Sequence, residues 1–224
     1  MVGSMSMNSA PEVALDHAQS MDRIYGLQRH IYDATRAYYL LGRDTVLREL
    51  DIPKMGRVLE VGCGTGRNLI RAAALYPDAQ FYGFDISSAM LETAQKAVAK
   101  RGLAPRIHLA QGDATDFNAD KMFGRDGFDR VFFSYTLSMI PDWRASVLQG
   151  LKALAPGGAL EIVDFGDCAH LPKSFQRGLY AWLKQFHVTP RGELESFLNA
   201  QTGLRVQLQR PFRGYAQLAK VTRR

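Results

Sequence analysis

From Met21 to Leu50 apolar residues recur at helical spacing, at Ile24, Leu27 and Ile31 and again at Val46, Leu47 and Leu50. That pattern predicts two helices, broken at Gly42 and ended by Asp51-Ile52-Pro53. The period then changes. Arg57 to Val61, Gln80 to Asp85, Ile107 to Ala110, Phe128 to Tyr135 and Ala159 to Phe165 are short apolar runs between turn residues, and they read as buried strands. Helices are predicted between them over Arg67 to Leu75, Ser87 to Arg101 with Ser87 as N-cap, and Trp143 to Leu154. Pro156-Gly157-Gly158 reads as the breaker before the fifth strand. Strands alternating with helices mean a parallel sheet covered on both faces, an α/β fold. A helix over Leu171 to Phe186 follows. Arg205 to Gln209 and Tyr215 to Val221, joined through a Pro-Phe-Arg-Gly turn, then read as a terminal antiparallel strand pair. Residues 1–20 are polar and read as a flexible tail, and residues 21–224 as a single domain whose first part, 21–55, is a helical lid.

Composition narrows the class. The 224 residues are 46% apolar and 22% charged, globular proportions that exclude a disordered or fibrous chain. The longest charge-free apolar stretch, Val131 to Pro141, is about half of what a spanning helix needs. Pro11, Glu12 and Asp16 interrupt the first twenty residues, so a signal peptide is not expected. Cys63 and Cys168 match no zinc or disulfide spacing and are expected to be reduced thiols in a cytoplasmic protein. The charge is uneven. Residues 167–224 carry ten Lys/Arg against three Asp/Glu, so the net charge of +6 resides in the last quarter. Such a region suits an anionic partner, a lipid surface or a nucleic acid, or is simply a soluble basic face.

The chemistry starts at RVLEVGCGTGRN, Arg57 to Asn68. Gly62, Gly64 and Gly66 follow a strand and open a helix, where glycine lets the backbone turn sharply and approach a ligand. A dinucleotide site reads G-x-G-x-x-G, with pyrophosphate on the helix N-terminus. Here the spacing is G-x-G-x-G with the acidic Glu60 just upstream, which suits a nucleoside ligand without phosphate. Asp85 follows Gly66 by nineteen residues at the end of the second strand, where a carboxylate can accept both ribose hydroxyls. Asp113, in QGDAT after the third strand, is placed to meet an adenine amino group.

The EVGCGTG string, Asp85 and the Gly112-Asp113-Ala114 triplet resemble class I S-adenosylmethionine-dependent methyltransferases. The resemblance runs from about residue 55 to the C-terminus and implies their seven-stranded Rossmann-like sheet, with S-adenosylmethionine as cofactor, S-adenosylhomocysteine as product and no metal. It implies that Glu60, Gly62, Cys63, Gly64 and Gly66 surround the amino-acid end of the cofactor, with Arg43 and Asn68 in the same set. Asp85 takes the ribose, Ile86 and Met90 pack beside the adenosine, and Gly112, Asp113 and Ala114 meet the adenine. Ser134 and Tyr135 lie under the sulfur and face the acceptor.

The flanks speak to the acceptor. HIYDATRAYYLLGRD, His30 to Asp44, resembles the opening of small methyltransferases acting on lipid-linked or quinone acceptors. SYTLSMIPDW (Ser134 to Trp143), VDFGD (Val163 to Asp167) and FHVTPR (Phe186 to Arg191) extend the likeness to the diacylglyceryl-homoserine N-methyltransferases of bacterial betaine-lipid synthesis. That implies a lipid headgroup amine methylated up to three times by an enzyme peripheral to the inner face of the membrane. The enzyme that makes diacylglyceryl-homoserine is the implied partner. Phosphatidylethanolamine or a small soluble amine is the alternative acceptor. A nucleic-acid or protein substrate has only the basic tail in its favour, and Ser134-Tyr135-Thr136-Leu137 stands where amino-group methylases of bases carry Asn-Pro-Pro-Tyr or Asp-Pro-Pro-Tyr. A quaternary ammonium product suits aromatic faces, which makes Tyr32 and Tyr135 the candidates for contact with cofactor or acceptor. His187, or His30, is the candidate general base. In Leu171 to Phe186 the aromatic residues and Lys173, Arg177 and Lys184 fall on different faces, so the helix either lies in a headgroup layer or packs on the sheet, and can do both.

Overall fold

The computed structural model describes residues 39–125 and 127–223. The expected helix from Met21, most of the expected lid, and His30 and Tyr32 lie outside them. In chain order the elements are α1 (Arg43–Glu49), β1 (Arg57–Val61), α2 (Arg67–Leu75), β2 (Gln80–Asp85), α3 (Ser88–Lys100), β3 (Ile107–Gln111), α4 (Ala119–Phe123), β4 (Phe128–Ser134), α5 (Trp143–Lys152), β5 (Leu154–Phe165), α6 (Lys173–Lys184), α7 (Leu194–Asn199), β6 (Leu204–Gln209) and β7 (Ala216–Arg223). Gly42 caps α1 in the left-handed conformation, at φ 84°, and the Ser87 side chain caps α3 by accepting the Met90 N–H.

The seven strands form one sheet in the order β3-β2-β1-β4-β5-β7-β6. β1 to β5 run parallel, and β7 enters antiparallel between β5 and β6. The strand order reverses between β1 and β4, opening a crevice at their carboxyl ends, the place where such sheets take ligands. Side chains alternate across the sheet as a period of two requires. Phe132 faces one apolar layer with Leu47, Leu69 and Val163, while Val131 and Phe133 face the other with Val147 and Leu198.

Two features differ from the sequence expectation. β5 begins at Leu154 instead of Ala159. Leu154 pairs with Phe128 and Ala159 with Arg130, so Pro156-Gly157-Gly158 bulges within the strand, with Gly157 at φ 76°, and does not end it. The short helices α4 and α7 were not anticipated. Among the described residues no helix is long and apolar enough to cross a membrane.

Candidate active site

The glycine turn after β1 folds back onto the end of β2. Gly62 and Cys63 both donate their N–H to the Phe84 carbonyl, at 2.9 Å. Asp85, one residue on, is tied to the turn: its Oδ2 accepts the Gly64 N–H at 2.8 Å and its Oδ1 the Ser87 N–H at 3.0 Å. Gly62, at φ 71°, could carry no side chain, since a Cβ there would lie 2.2 Å from Thr136 Cγ2. Gly64, at φ 52°, is the reverse case: a Cβ would meet nothing within 4 Å. The turn thus offers bare backbone to open ground beside Asp85, the cradle a nucleoside cofactor would fill.

Buried polar atoms face the same crevice. Glu60 is 1% exposed, and Asn68 Nδ2 donates to its Oε1 at 2.7 Å. Its Oε2 and the Ser134 Oγ are buried with no hydrogen-bond partner among the described residues. Burial pushes the Glu60 carboxyl up to about 8, against the opposing pull of the Asn68 bond and of Arg43, buried in the first turn of α1. A buried acid with a raised pKa and one oxygen left without a partner is what a cationic ligand group would satisfy. The ammonium at the amino-acid end of S-adenosylmethionine is such a group, so the residues fit the implied cofactor. Burial also raises the Cys63 thiol, which removes it as a nucleophile. Asp113 Oδ1 accepts from the Thr115 N–H and hydroxyl at 2.8 and 2.7 Å, which leaves Oδ2 available as an acceptor. Gly112 donates its N–H to the Asp85 carbonyl. Ile86 and Ala114 are half-buried, and Met90 is buried against Met139 and Phe186. Among the described residues no group of His, Cys, Asp and Glu could hold a metal.

Beyond the end of β4 lies a small aromatic cleft, with room of about 20 Å³, lined by Tyr39, Tyr135, Phe165, Trp182, Phe186 and four aliphatic neighbours. Tyr135 sits in the left-handed region at φ 57°, and such non-glycine outliers cluster at functional sites. Its ring meets Phe165 edge-on at 4.7 Å, and its hydroxyl donates to the Leu41 carbonyl at 2.5 Å. The ring therefore serves the cleft while the hydroxyl is committed to the segment leading into α1. His187, the candidate general base, is exposed, with Phe186 and Val188 on either side of it lining the cleft.

Sequence reasoning missed what holds the cleft's shape. Arg191 donates from Nε to the Leu137 carbonyl at 3.0 Å and from Nη2 to the Ile140 carbonyl at 2.6 Å. The Ser138 carbonyl takes the Thr189 N–H, and the Ser138 N–H goes to buried Asp164. The segments carrying Met139 and Phe186 are thereby sewn together, through three peptides that had stood out as separate motifs. Arg191→Met should orphan two carbonyls, cost about 2–4 kcal/mol of stability, and raise the acceptor KM while leaving cofactor affinity within twofold. Calorimetry and steady-state kinetics on the variant check this; a matching loss of cofactor affinity would contradict it.

Comparison with known proteins agrees with the geometry. The Methyltransferase domain family matches residues 52–200. The O-methyltransferase cnsE of Penicillium expansum is 30% identical over 167 residues, 73% of this chain and 58% of that protein. The demethylmenaquinone methyltransferase of Geobacillus kaustophilus is 27% identical over 209 residues, 92% of this chain and 82% of that protein. Among solved structures, phosphoethanolamine N-methyltransferase 2 of Haemonchus contortus, in complex with S-adenosyl-L-methionine, superposes with a TM-score of 0.68 at 22% identity, over 87% of this chain and 46% of that one. With the cradle, the buried Glu60 carboxyl and the strand order all in place, the chain belongs to the Methyltransferase domain family and is an S-adenosylmethionine-dependent methyltransferase.

Proposed function

We propose that the chain methylates the amine of a lipid headgroup, converting diacylglyceryl-homoserine stepwise to its trimethylated betaine form at the inner face of the membrane. The relatives and neighbours named above bear the names of O-methyltransferases, quinone-precursor methyltransferases and N-methyltransferases, so the acceptor must be argued from this chain's own cleft. Its aromatic lining carries the reading: a nitrogen that gains methyls becomes a permanent cation, and Tyr135, Trp182 and Phe186 offer faces that attract one. Bound S-adenosylmethionine supplies an electrophilic methyl group. The chain's part is to hold an unprotonated amine in line with it and keep water away. The described lining contains no carboxylate or imidazole. Tyr135 fixes the mouth, Ser134 lies one residue before it at the end of β4, and Tyr32, outside the described residues, is the other proposed contact.

The enzyme that makes diacylglyceryl-homoserine supplies the substrate, so co-expression with it tests the proposal. Thin-layer separation should reveal the trimethylated lipid; methylated phosphatidylethanolamine with untouched diacylglyceryl-homoserine would reassign the acceptor. Tyr135→Phe keeps the ring, loses the bond to Leu41, and should cost less than tenfold in kcat/KM. Tyr135→Leu fills the volume without the ring. It should cost ~1–2 kcal/mol, roughly five- to thirtyfold, and most at the last methylation, so mono- and dimethyl lipid accumulate. Equal losses at all three steps would make the ring a packing residue only.

A further inference from the structure

Asp164, near the carboxyl end of β5, is fully buried, and the chemistry described above makes no use of it. Successive side chains of a strand leave on opposite faces, so Phe165 lines the cleft while Asp164 leaves by the other side. Its carboxylate nevertheless gathers the segments that build the cleft. Oδ1 accepts the Phe165 N–H at 2.7 Å and Oδ2 the Ser138 N–H at 3.0 Å. Met139, the next residue along, lines the cleft and packs with Phe186 against Met90. The Ser138 carbonyl holds the Thr189 N–H at 2.8 Å, one residue from Val188 in the cleft wall. Arg191, which grips the carbonyls of Leu137 and Ile140 on either side, is the positive charge that reaches Asp164. From β7, uncharged Gln217 stands opposite Asp164 and donates to the Phe165 and Arg191 carbonyls, both at 3.0 Å.

We propose that Asp164 is a positioning residue for the acceptor: ionised, it holds Met139, Phe165 and Val188 where they shape the cleft, and protonated, it lets them shift. This deepens the reading of the cleft as the acceptor site and rests on it. A carboxylate accepts N–H bonds on both oxygens and balances a guanidinium. A neutral acid turns one oxygen into a donor and leaves Arg191, half-buried, without its counter-charge. Burial raises the Asp164 carboxyl to about 6, against the bonds from Ser138 and Phe165 and the charge of Arg191. Tyr135 also feels Asp164, but burial keeps its hydroxyl protonated, and the Arg144 and Glu193 that reach Arg191 pair with each other. Because the folded value is raised, protonating Asp164 adds to global stability, so the loosening is local and is not acid unfolding.

The chain has two tryptophans, Trp182 in the cleft and Trp143 at the start of α5, so 19F NMR of the full chain labelled with 5-fluorotryptophan gives one reporter and one reference. Trp182→Phe assigns them. Without any ligand, the Trp182 signal should move with a midpoint near 6 while the Trp143 signal holds still. In Asp164→Asn that step should vanish. It should persist in His187→Gln, which removes the histidine beside Phe186. Asp164→Asn should also raise the acceptor KM roughly tenfold at neutral pH, with kcat and cofactor affinity within about twofold, since an amide accepts one N–H and balances no charge. Should that variant fold poorly, the wild-type titration with its His187→Gln control decides. A Trp182 signal that does not titrate, a step kept in Asp164→Asn or lost in His187→Gln, or an equal loss of cofactor affinity would overturn the proposal. An Asp164-dependent Trp182 step in an enzyme that methylates no lipid amine would refute the acceptor and leave the brace standing.

Discussion

Asp85→Ala is expected to weaken S-adenosylmethionine binding by about 2–3 kcal/mol, roughly thirty- to 150-fold, in titration calorimetry. Two losses combine. The carboxylate is the proposed acceptor for both ribose hydroxyls, and it also holds the Gly64 and Ser87 N–H groups, so its removal loosens the glycine turn. Asp85→Asn retains one acceptor oxygen and should lose less. Unchanged affinity in Asp85→Ala would displace the ribose from this position.

Glu60 gives the second large effect, on stability and on protons. The folded chain holds the Glu60 proton up to about 8, whereas the unfolded chain releases it near the ordinary value of 4.5. Between those pH values the folded state binds more protons, so stability falls as pH rises through that window and levels off above it. The fall should be on the order of a few kcal/mol. Asp164, raised by burial to about 6, works in the same direction at the acid end, so Glu60→Gln must be compared with wild type over the whole range. The variant should melt higher above pH 6, because it has no proton for the unfolded chain to release and Asn68 still has an oxygen to bond. It should also bind cofactor at least tenfold more weakly. A cofactor ammonium beside Glu60 restores the charged carboxylate, so wild-type binding near pH 7 should release a proton, seen as a binding heat that varies with the buffer's ionisation enthalpy. Buffer-independent heats, or equal proton release by Glu60→Gln, would place the ammonium elsewhere.

What was legible in the sequence is what local periodicity and spacing encode. β1 and β2 fell on the predicted residues because both are short apolar runs between turn residues, and the Ser87 cap announced α3. The glycine turn and its acids could be read because their spacing along one chain defines a single strand-turn-helix unit. β5 was misjudged at its start because Pro156-Gly157-Gly158 is a breaker in isolation but is carried as a bulge by pairing with β4, which a local reading cannot see. The brace at Arg191 was invisible for the same kind of reason. Its partners Leu137 and Ile140 are more than fifty residues away, and only the fold brings them near. Tyr135 was marked by its position after the fourth strand, but the commitment of its hydroxyl to Leu41 needed the structure.

One measurement tests the acceptor directly. The purified chain is incubated with S-adenosylmethionine bearing a trideuterated methyl group and with vesicles containing diacylglyceryl-homoserine, and the lipids are weighed by mass spectrometry. Successive mass increments for one, two and three transferred methyl groups are expected, all located on the headgroup nitrogen by fragmentation. Unlabelled diacylglyceryl-homoserine, from an enzyme that in the same tube methylates a hydroxyl, a ring carbon or another amine, would contradict the proposed acceptor.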